Sequence, residues 1–395
     1  MKGKKWIILA VLGVVLVIVL SLAFVFRQEL VLRVTGMRPF VEDRFPGWVS
    51  RGATEEELDT ALKRIYDPVG DGPGSWVYEL SKPAAQHELV AMKAEVAGDT
   101  ETAFREYKTA AMFYYIARFP FVSSPAKQAA YEKHIECYLK AARSFDPPLE
   151  VVRIPFEGKE IIGYLRIPHG EKPPVVLVTG GVDGWKSDID FVIEPLLAEG
   201  LAVFAIDIPG TGQSAWALGP DSDRVNRHAL EYLKTRDDID SQNMGVYGVS
   251  YGGWFAVKLA LSEPMIKAAV NVGGPVAIAY TPENIKKVPD VMVLTISHAM
   301  KVDMGGKTIE EIAQSVEPMS LEKQGFLINP DHRASLLSIN GDQDNMVPIE
   351  DLYIISKRGI VQDELVYKGD GHCAPHNQKD WTVKAATWLK NKLYP

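Results

Sequence analysis

The segment Gly248-Val249-Ser250-Tyr251-Gly252 places a serine between an apolar run, Met244–Val249, and a helical pattern that opens with Gly253. A serine on a sharp strand-to-helix turn holds its hydroxyl clear of the backbone. Small residues are needed two positions before and two after it, because the chain nearly touches itself there. The chemistry this allows is nucleophilic attack on a carbonyl. The backbone N–H of Tyr251 would point to where an oxyanion forms, at the positive end of the following helix. The plainer alternative is a tight turn with a capping serine.

Serine is a poor nucleophile until a base removes its proton. Of the eight histidines, His372 stands in a glycine-rich loop, Lys368-Gly369-Asp370-Gly371-His372, after the last apolar run. His376 lies one turn further on and is its rival. An acid that orients the imidazole should fall between serine and histidine in chain order. Ile339-Asn340-Gly341-Asp342-Gln343-Asp344 ends an apolar run in a polar turn, and both Asp342 and Asp344 are available there. A second oxyanion donor should come from a loop after an earlier strand. Val178-Thr179-Gly180-Gly181-Val182-Asp183-Gly184 supplies one, with the N–H of Gly181 or Val182 as donor. Asp207–Ser214 superficially resembles a phosphate loop but lacks the Lys-Ser/Thr ending. No His/Cys/carboxylate group has metal spacing, and the chemistry needs no cofactor. Trp185, Trp216 and Trp254 lie near strand ends as core or pocket residues.

The elements that must position these residues are legible as alternation. Val151–Ile154 and Ile161–Ile167 flank the turn Glu157-Gly158-Lys159 and predict a β-hairpin. Short apolar runs then follow at 175–179, 202–206, 244–249, 268–272, 335–339 and 364–367. Helical patterns fall between them at 189–199, 224–234, 252–262 and 349–357. Strands that are apolar throughout, with helices between, predict a mostly parallel sheet covered on both faces. Residues 276–330 break the rhythm and read as a helical insertion. Before the sheet, 81–148 read as a helical, lid-like domain. Gly98-Asp99-Thr100 there stops one helix and caps the next, and Ser124-Pro125 opens another. Residues 27–80 read as a connector containing a short helix from Thr54 to Tyr66, and 149–395 as the catalytic domain.

Trp6 to Phe26 is 21 residues without a charge, preceded by Lys2, Lys4 and Lys5. As a helix it would cross the roughly 30 Å hydrocarbon core, so residues 1–26 predict a transmembrane anchor and a single-pass membrane protein. Cleavage at Ser21-Leu22-Ala23 is the alternative. The lysines favour the N-terminus inside and an extracytoplasmic catalytic domain, against Arg27, Arg33, Arg38 and Arg44 on the other flank. A net charge of −8 over 395 residues excludes nucleic acid as a natural partner. The two cysteines, Cys137 and Cys373, make no disulfide framework. Expected partners are a small-molecule ester or ketone substrate, the lipid bilayer through residues 6–26 and, as an option, a second copy of the chain.

Residues 151–395 resemble an α/β-hydrolase, and the motifs resemble the FrsA-like esterase group. They are Gly180-Gly181-Val182-Asp183-Gly184-Trp185-Lys186-Ser187-Asp188, the Asp207–Ser214 loop and Gly248–Gly252, preceded by a helical segment. The family's pattern of glycine, two residues, aspartate and a later Val-Pro selects Asp344. The resemblance implies a serine esterase with Ser250, Asp344 and His372 as catalytic triad and Tyr251, Gly181 and Val182 at the oxyanion hole. The related dihydropseudooxynicotine hydrolases share this build. There the resemblance implies that the helical segment covers the site and that the same triad can cleave a carbon–carbon bond. A peptidase or acyltransferase, or a non-catalytic binding protein on the same scaffold, are the further alternatives. The N-terminal span and residues 27–80 depart from the family's usual pattern.

Overall fold

The computed structural model describes residues 29–394. The chain divides into two compact units, one ending at Ala141 and the other beginning at Ala142.

The first unit is helical. Its helices include Phe45–Ser50, Glu55–Lys63, Trp76–Ala97, Thr100–Arg118 and Pro125–Ala142. Their ends follow from local chemistry. The Ser75 hydroxyl accepts from the Tyr78 N–H at one N-terminus, and the Asp99 carboxylate accepts from Thr102 at another. Gly98 ends the helix between them at φ +74°, a left-handed conformation that glycine adopts without strain. Glu55–Lys63 lies within the helix expected from Thr54 to Tyr66, Phe45–Ser50 adds a further helix before it, and both contribute to this core. Trp48 is buried and packs edge-on against Trp76 and Phe119, with ring centres 6.0 and 5.7 Å away.

Among the described residues no helix is long and apolar enough to cross a membrane. The 22-residue helix Trp76–Ala97 has the length, but it carries Glu79, Lys82, Glu88, Lys93 and Glu95. The expected architecture of a hydrolase sheet joined to one transmembrane helix is corrected accordingly. So are the bilayer partnership, the single-pass localisation and the extracytoplasmic placement drawn from it. Residues 6–26, which prompted that expectation, lie outside the described residues.

The second unit is built on one eight-stranded sheet of order β1-β2-β4-β3-β5-β6-β7-β8. The strands are β1 Leu149–Phe156, β2 Lys159–Arg166, β3 Pro174–Thr179, β4 Ala202–Ile206, β5 Asp240–Val249, β6 Ile266–Val272, β7 Ser335–Gly341 and β8 Asp363–Tyr367. β1 and β2 form the expected antiparallel hairpin, turned at Glu157 and Gly158 with φ +49° and +72°, and β2 pairs antiparallel with β4. Every other pairing is parallel.

Alternate side chains of the buried strands feed two cores, as a period of two requires. Val175, Leu177, Phe204 and Val246 join the helices Arg224–Lys234 and Tyr251–Ala260 on one face. Val176, Val178, Val203 and Val270 join the helices Asp190–Ala198 and Gln378–Leu393 on the other. The chain leaves β3 towards β4, then returns past β3 to form β5. That reversal opens a crevice at the carboxyl ends of the central strands, where ligands bind in such sheets. The segment between β6 and β7 is helical and includes Pro282–Ile285, Asp290–Met300 and Ile309–Val316.

One cluster in the first unit is titratable. His87 lies between two carboxylates, with Nδ1 2.6 Å from Glu106 and Nε2 2.8 Å from Glu57. Both ring nitrogens can donate only in the imidazolium form. Burial opposes that charge, but the bonds to Glu106 and Glu57 outweigh it and raise the His87 pKa above its ordinary value. A folded-state pKa above the unfolded one means the stabilisation is complete below about pH 6.5 and is lost as pH rises through the folded value. His87→Ala is expected to cost about 1–3 kcal/mol near pH 6 and progressively less at alkaline pH. Calorimetric melting of both proteins across that range checks it; a penalty independent of pH would show the histidine to be neutral.

Candidate active site

β5 ends where the chain crowds itself. A Cβ on Gly248 would lie 2.0 Å from the Gly252 carbonyl oxygen, and one on Gly252 would lie 2.5 Å from that of Gly180. Neither position admits a side chain, which is the physical content of the glycine spacing around Ser250. Ser250 itself takes φ +54° and ψ −127°, a conformation costing on the order of 1–3 kcal/mol for a residue with a Cβ. Its N–H donates to the Val272 carbonyl at 2.7 Å, which pins the strained residue to β6.

The structure brings three of the singled-out side chains together. The Ser250 Oγ lies 2.9 Å from His372 Nε2, and His372 Nδ1 lies 2.7 Å from Asp344 Oδ2. A carboxylate only accepts, so the Nδ1 hydrogen lies towards Asp344 and Nε2 is left to accept from the serine hydroxyl. The rivals turn elsewhere. Asp342 accepts from the Gly369 N–H at 2.6 Å, and the exposed His376 pairs with Asp370 at 2.8 Å. Gly181 abuts the serine so closely that a Cβ there would lie 2.9 Å from the Ser250 Cβ. Val182 and Tyr251 line the same cleft.

The Asp344 side chain is wholly buried. Burial disfavours its charge, but His372, the Val347 N–H and the Asn340 amide more than compensate and hold its pKa below the usual range. Its Oδ1 also accepts from the Met346 N–H at 2.8 Å. Burial likewise disfavours a charged His372, and the Asp344 carboxylate outweighs it, so the imidazole is a stronger base than a free histidine.

Four further residues support the site, Asn340, Asp351, Lys186 and Asp207, and the sequence marks only the last two, as parts of motifs. Asn340, buried at the end of β7, donates to Asp344 Oδ2 at 2.9 Å, and its Oδ1 accepts from the Cys373 N–H at 2.9 Å. It therefore ties the loop that carries Asp344 to the loop that carries His372. Asp351 accepts four backbone N–H bonds, from Val276, Ala277, Ile278 and Ala279, at 2.5–3.0 Å. It fixes the loop after β6, which supplies Pro275, Ala279 and Tyr280 to the cleft. Lys186 and Asp207 form a fully buried ion pair at 2.5 Å, and Asp207 also accepts from the N–H groups of Lys186 and Gln213. Only the Gly-rich motif containing Lys186 and the Asp207 loop had drawn attention, as similarity and not as a contact.

The cleft beside Ser250 encloses about 540 Å³, counting the part open to solvent. Ile285, Val288, Met292, Ile296, Val316 and Met346 make it apolar. Trp185, Trp216 and Trp254 are all buried in the core rather than in its lining. Among the described residues no group of histidines, cysteines and carboxylates could hold a metal ion.

Lys186→Met leaves Asp207 buried without its cation, and a broken buried pair costs about 3–5 kcal/mol. Urea unfolding should show a midpoint lowered accordingly. A variant as stable as the parent would mean that Asp207 takes up a proton at little cost.

Comparison with known proteins bears on the family and the fold. The family model described as "Esterase FrsA-like" matches residues 49–393. An esterase FrsA of Photobacterium profundum is 23% identical over 370 residues, which cover 89% of this chain and 87% of that protein. One of Vibrio parahaemolyticus is 26% identical over 331 residues, 78% of each chain. The crystal structure of a 2,6-dihydroxy-pseudo-oxynicotine hydrolase superposes with a TM-score of 0.74 at 22% identity, over 88% of this chain and 95% of that one. At that identity the likeness speaks for the fold. The chain belongs to the FrsA-like esterase family and is an ester hydrolase of the α/β-hydrolase fold.

Proposed function

We propose that the chain cleaves carboxylic esters through an acyl-enzyme formed on Ser250. The observation that carries this reading is the unbroken run of hydrogen bonds from the Ser250 hydroxyl through His372 to Asp344, at 2.9 and 2.7 Å. As Oγ attacks the ester carbonyl, its proton passes to His372 Nε2. The carbonyl oxygen becomes an oxyanion held by the N–H groups of Tyr251 and of Gly181 or Val182. When the tetrahedral adduct collapses, the bond to the leaving oxygen breaks and His372 returns the proton to the departing alcohol. Water then repeats the sequence, and the acid is released. Asp344 holds the imidazole in its reactive tautomer and stabilises its positive charge.

Because the oxyanion donors are backbone groups, the side chains most open to test are the three in the hydrogen-bonded run. Ser250→Ala should abolish hydrolysis of a p-nitrophenyl ester and labelling by a fluorophosphonate while leaving the circular dichroism unchanged. Residual turnover at the parent's rate would end the assignment. Offering a β-diketone beside the ester separates ester cleavage from carbon–carbon cleavage by the same residues.

Two further expectations follow from the electrostatics. His372 must be neutral to accept the serine proton, so kcat/KM rises with pH through a pKa above the ordinary histidine value. Asp344→Asn removes the charge that raises it, so this limb should move to lower pH while kcat falls by about 10⁴-fold. An unmoved limb would mean that another group titrates. Asn340→Ala loosens both loops without touching substrate. It should lower kcat about 10–100-fold with KM little changed, a split that steady-state kinetics resolves.

A further inference from the structure

Among the described residues lining the apolar cleft, one pair of polar side chains stands besides Ser250 and His372. Tyr251 and Tyr280 both line it, and the Tyr280 hydroxyl donates to the Tyr251 hydroxyl at 3.3 Å. Both residues are more than nine-tenths buried, at 4% and 6% exposure. A phenol carries one hydrogen to donate and lone pairs to accept with, so the pair holds two hydrogens. Their mutual bond uses one. Among the described residues neither hydroxyl has another hydrogen-bond partner. Burial pushes both phenols well above their ordinary pKa, so both hydrogens stay in place at neutral pH. One hydroxyl hydrogen of this cleft-lining pair is thus left without a protein acceptor, in surroundings where an unmade bond is costly.

The pair is also held firmly. Tyr251 opens the helix directly after Ser250, and Tyr280 closes the loop whose N–H groups Asp351 gathers. Among the described residues no lysine, arginine, aspartate or glutamate lines the cleft. A charged substrate group would therefore be desolvated there without compensation.

We infer that the Tyr251–Tyr280 pair is a hydrogen-bond donor that reads an acceptor oxygen on the neutral group bound in the cleft. The preferred substrates are then esters whose acyl chain carries a keto or ether oxygen, over plain alkanoyl esters. The inference rests on the Ser250 cleft being the acyl site of the proposed reaction.

Binding tests it without turnover. On Ser250→Ala, NMR titration compares methyl hexanoate with its 3-oxo, 4-oxo and 5-oxo analogues. At least one oxo ester should bind about tenfold tighter than methyl hexanoate, the worth of one buried hydrogen bond. That advantage should shrink to about threefold or less when Tyr251→Phe and Tyr280→Phe are added together, since either hydroxyl alone keeps one hydrogen free. If the double change disturbs the fold by circular dichroism, Tyr251→Phe alone takes its place: it moves the free hydrogen to Tyr280, so the favoured oxo position should change. Equal binding of all four esters would show that a trapped water satisfies the free hydrogen, and would overturn the inference. So would an oxo preference that survives loss of both hydroxyls. Failure of the parent to hydrolyse these esters, with the binding preference intact, would instead count against the proposed reaction alone.

Discussion

Three backbone segments meet within van der Waals distance at the end of β5, and everything reactive in this protein depends on that approach. The carbonyl ends of β3 and the first turn of the helix after β5 leave no room for a side chain at Gly248 or Gly252. In return, Ser250 is forced into a backbone conformation that lifts its hydroxyl off the sheet. The strain is held by the parallel sheet itself, since the neighbouring strand β6 takes the Ser250 N–H. A looser junction would let the serine relax into ordinary strand or helix geometry, and the hydroxyl would sink towards the backbone.

Around this point the carboxyl-edge loops are fixed by buried polar groups that bond main chain. Asp344 takes two backbone N–H groups, Asp351 takes four, and Asp207 takes two in addition to its lysine. Loops lack the ladder bonds of a sheet, so their buried amides need partners from elsewhere. A carboxylate can serve several at once. The result is that each loop bearing a functional group is tied to a neighbouring element, and the spacing of serine, imidazole and carboxylate is set by covalent and hydrogen-bond geometry rather than by side-chain packing alone. Asn340 is the link between the acid and the base, because its one amide bonds both of their loops.

Much of the second unit is readable from residue order. β3 and β4 fall on wholly apolar runs because both of their faces are buried, whereas the edge strand β8 is half-exposed and shows only its apolar end, Leu365–Tyr367. The C-terminal helix Gln378–Leu393 escaped notice, although Trp381, Ala385, Leu389 and Leu393 recur every four residues and are all buried. Charged residues fill the rest of it and dilute the stripe. In the first unit, Glu55–Lys63 falls inside the helix expected from Thr54 to Tyr66, whereas Phe45–Ser50 gives no helical signal because Pro46 and Gly47 interrupt it. The packing of Trp48 on Trp76 and Phe119 outweighs that punctuation.

Local spacing by itself determined the strand-to-helix turn at Ser250, the alternation that makes a covered parallel sheet, and the order serine, acid, histidine. These are short-range matters of steric room and period. The family's motif pattern already selects Asp344 and His372, but their contact with Ser250, like the roles of Asn340, Asp351 and the Lys186–Asp207 pair, rests on distances between residues far apart in the chain. A hydrogen bond between residues separated by 122 positions leaves no periodic trace; it exists only once the sheet has brought the loops of β5 and β8 to one edge.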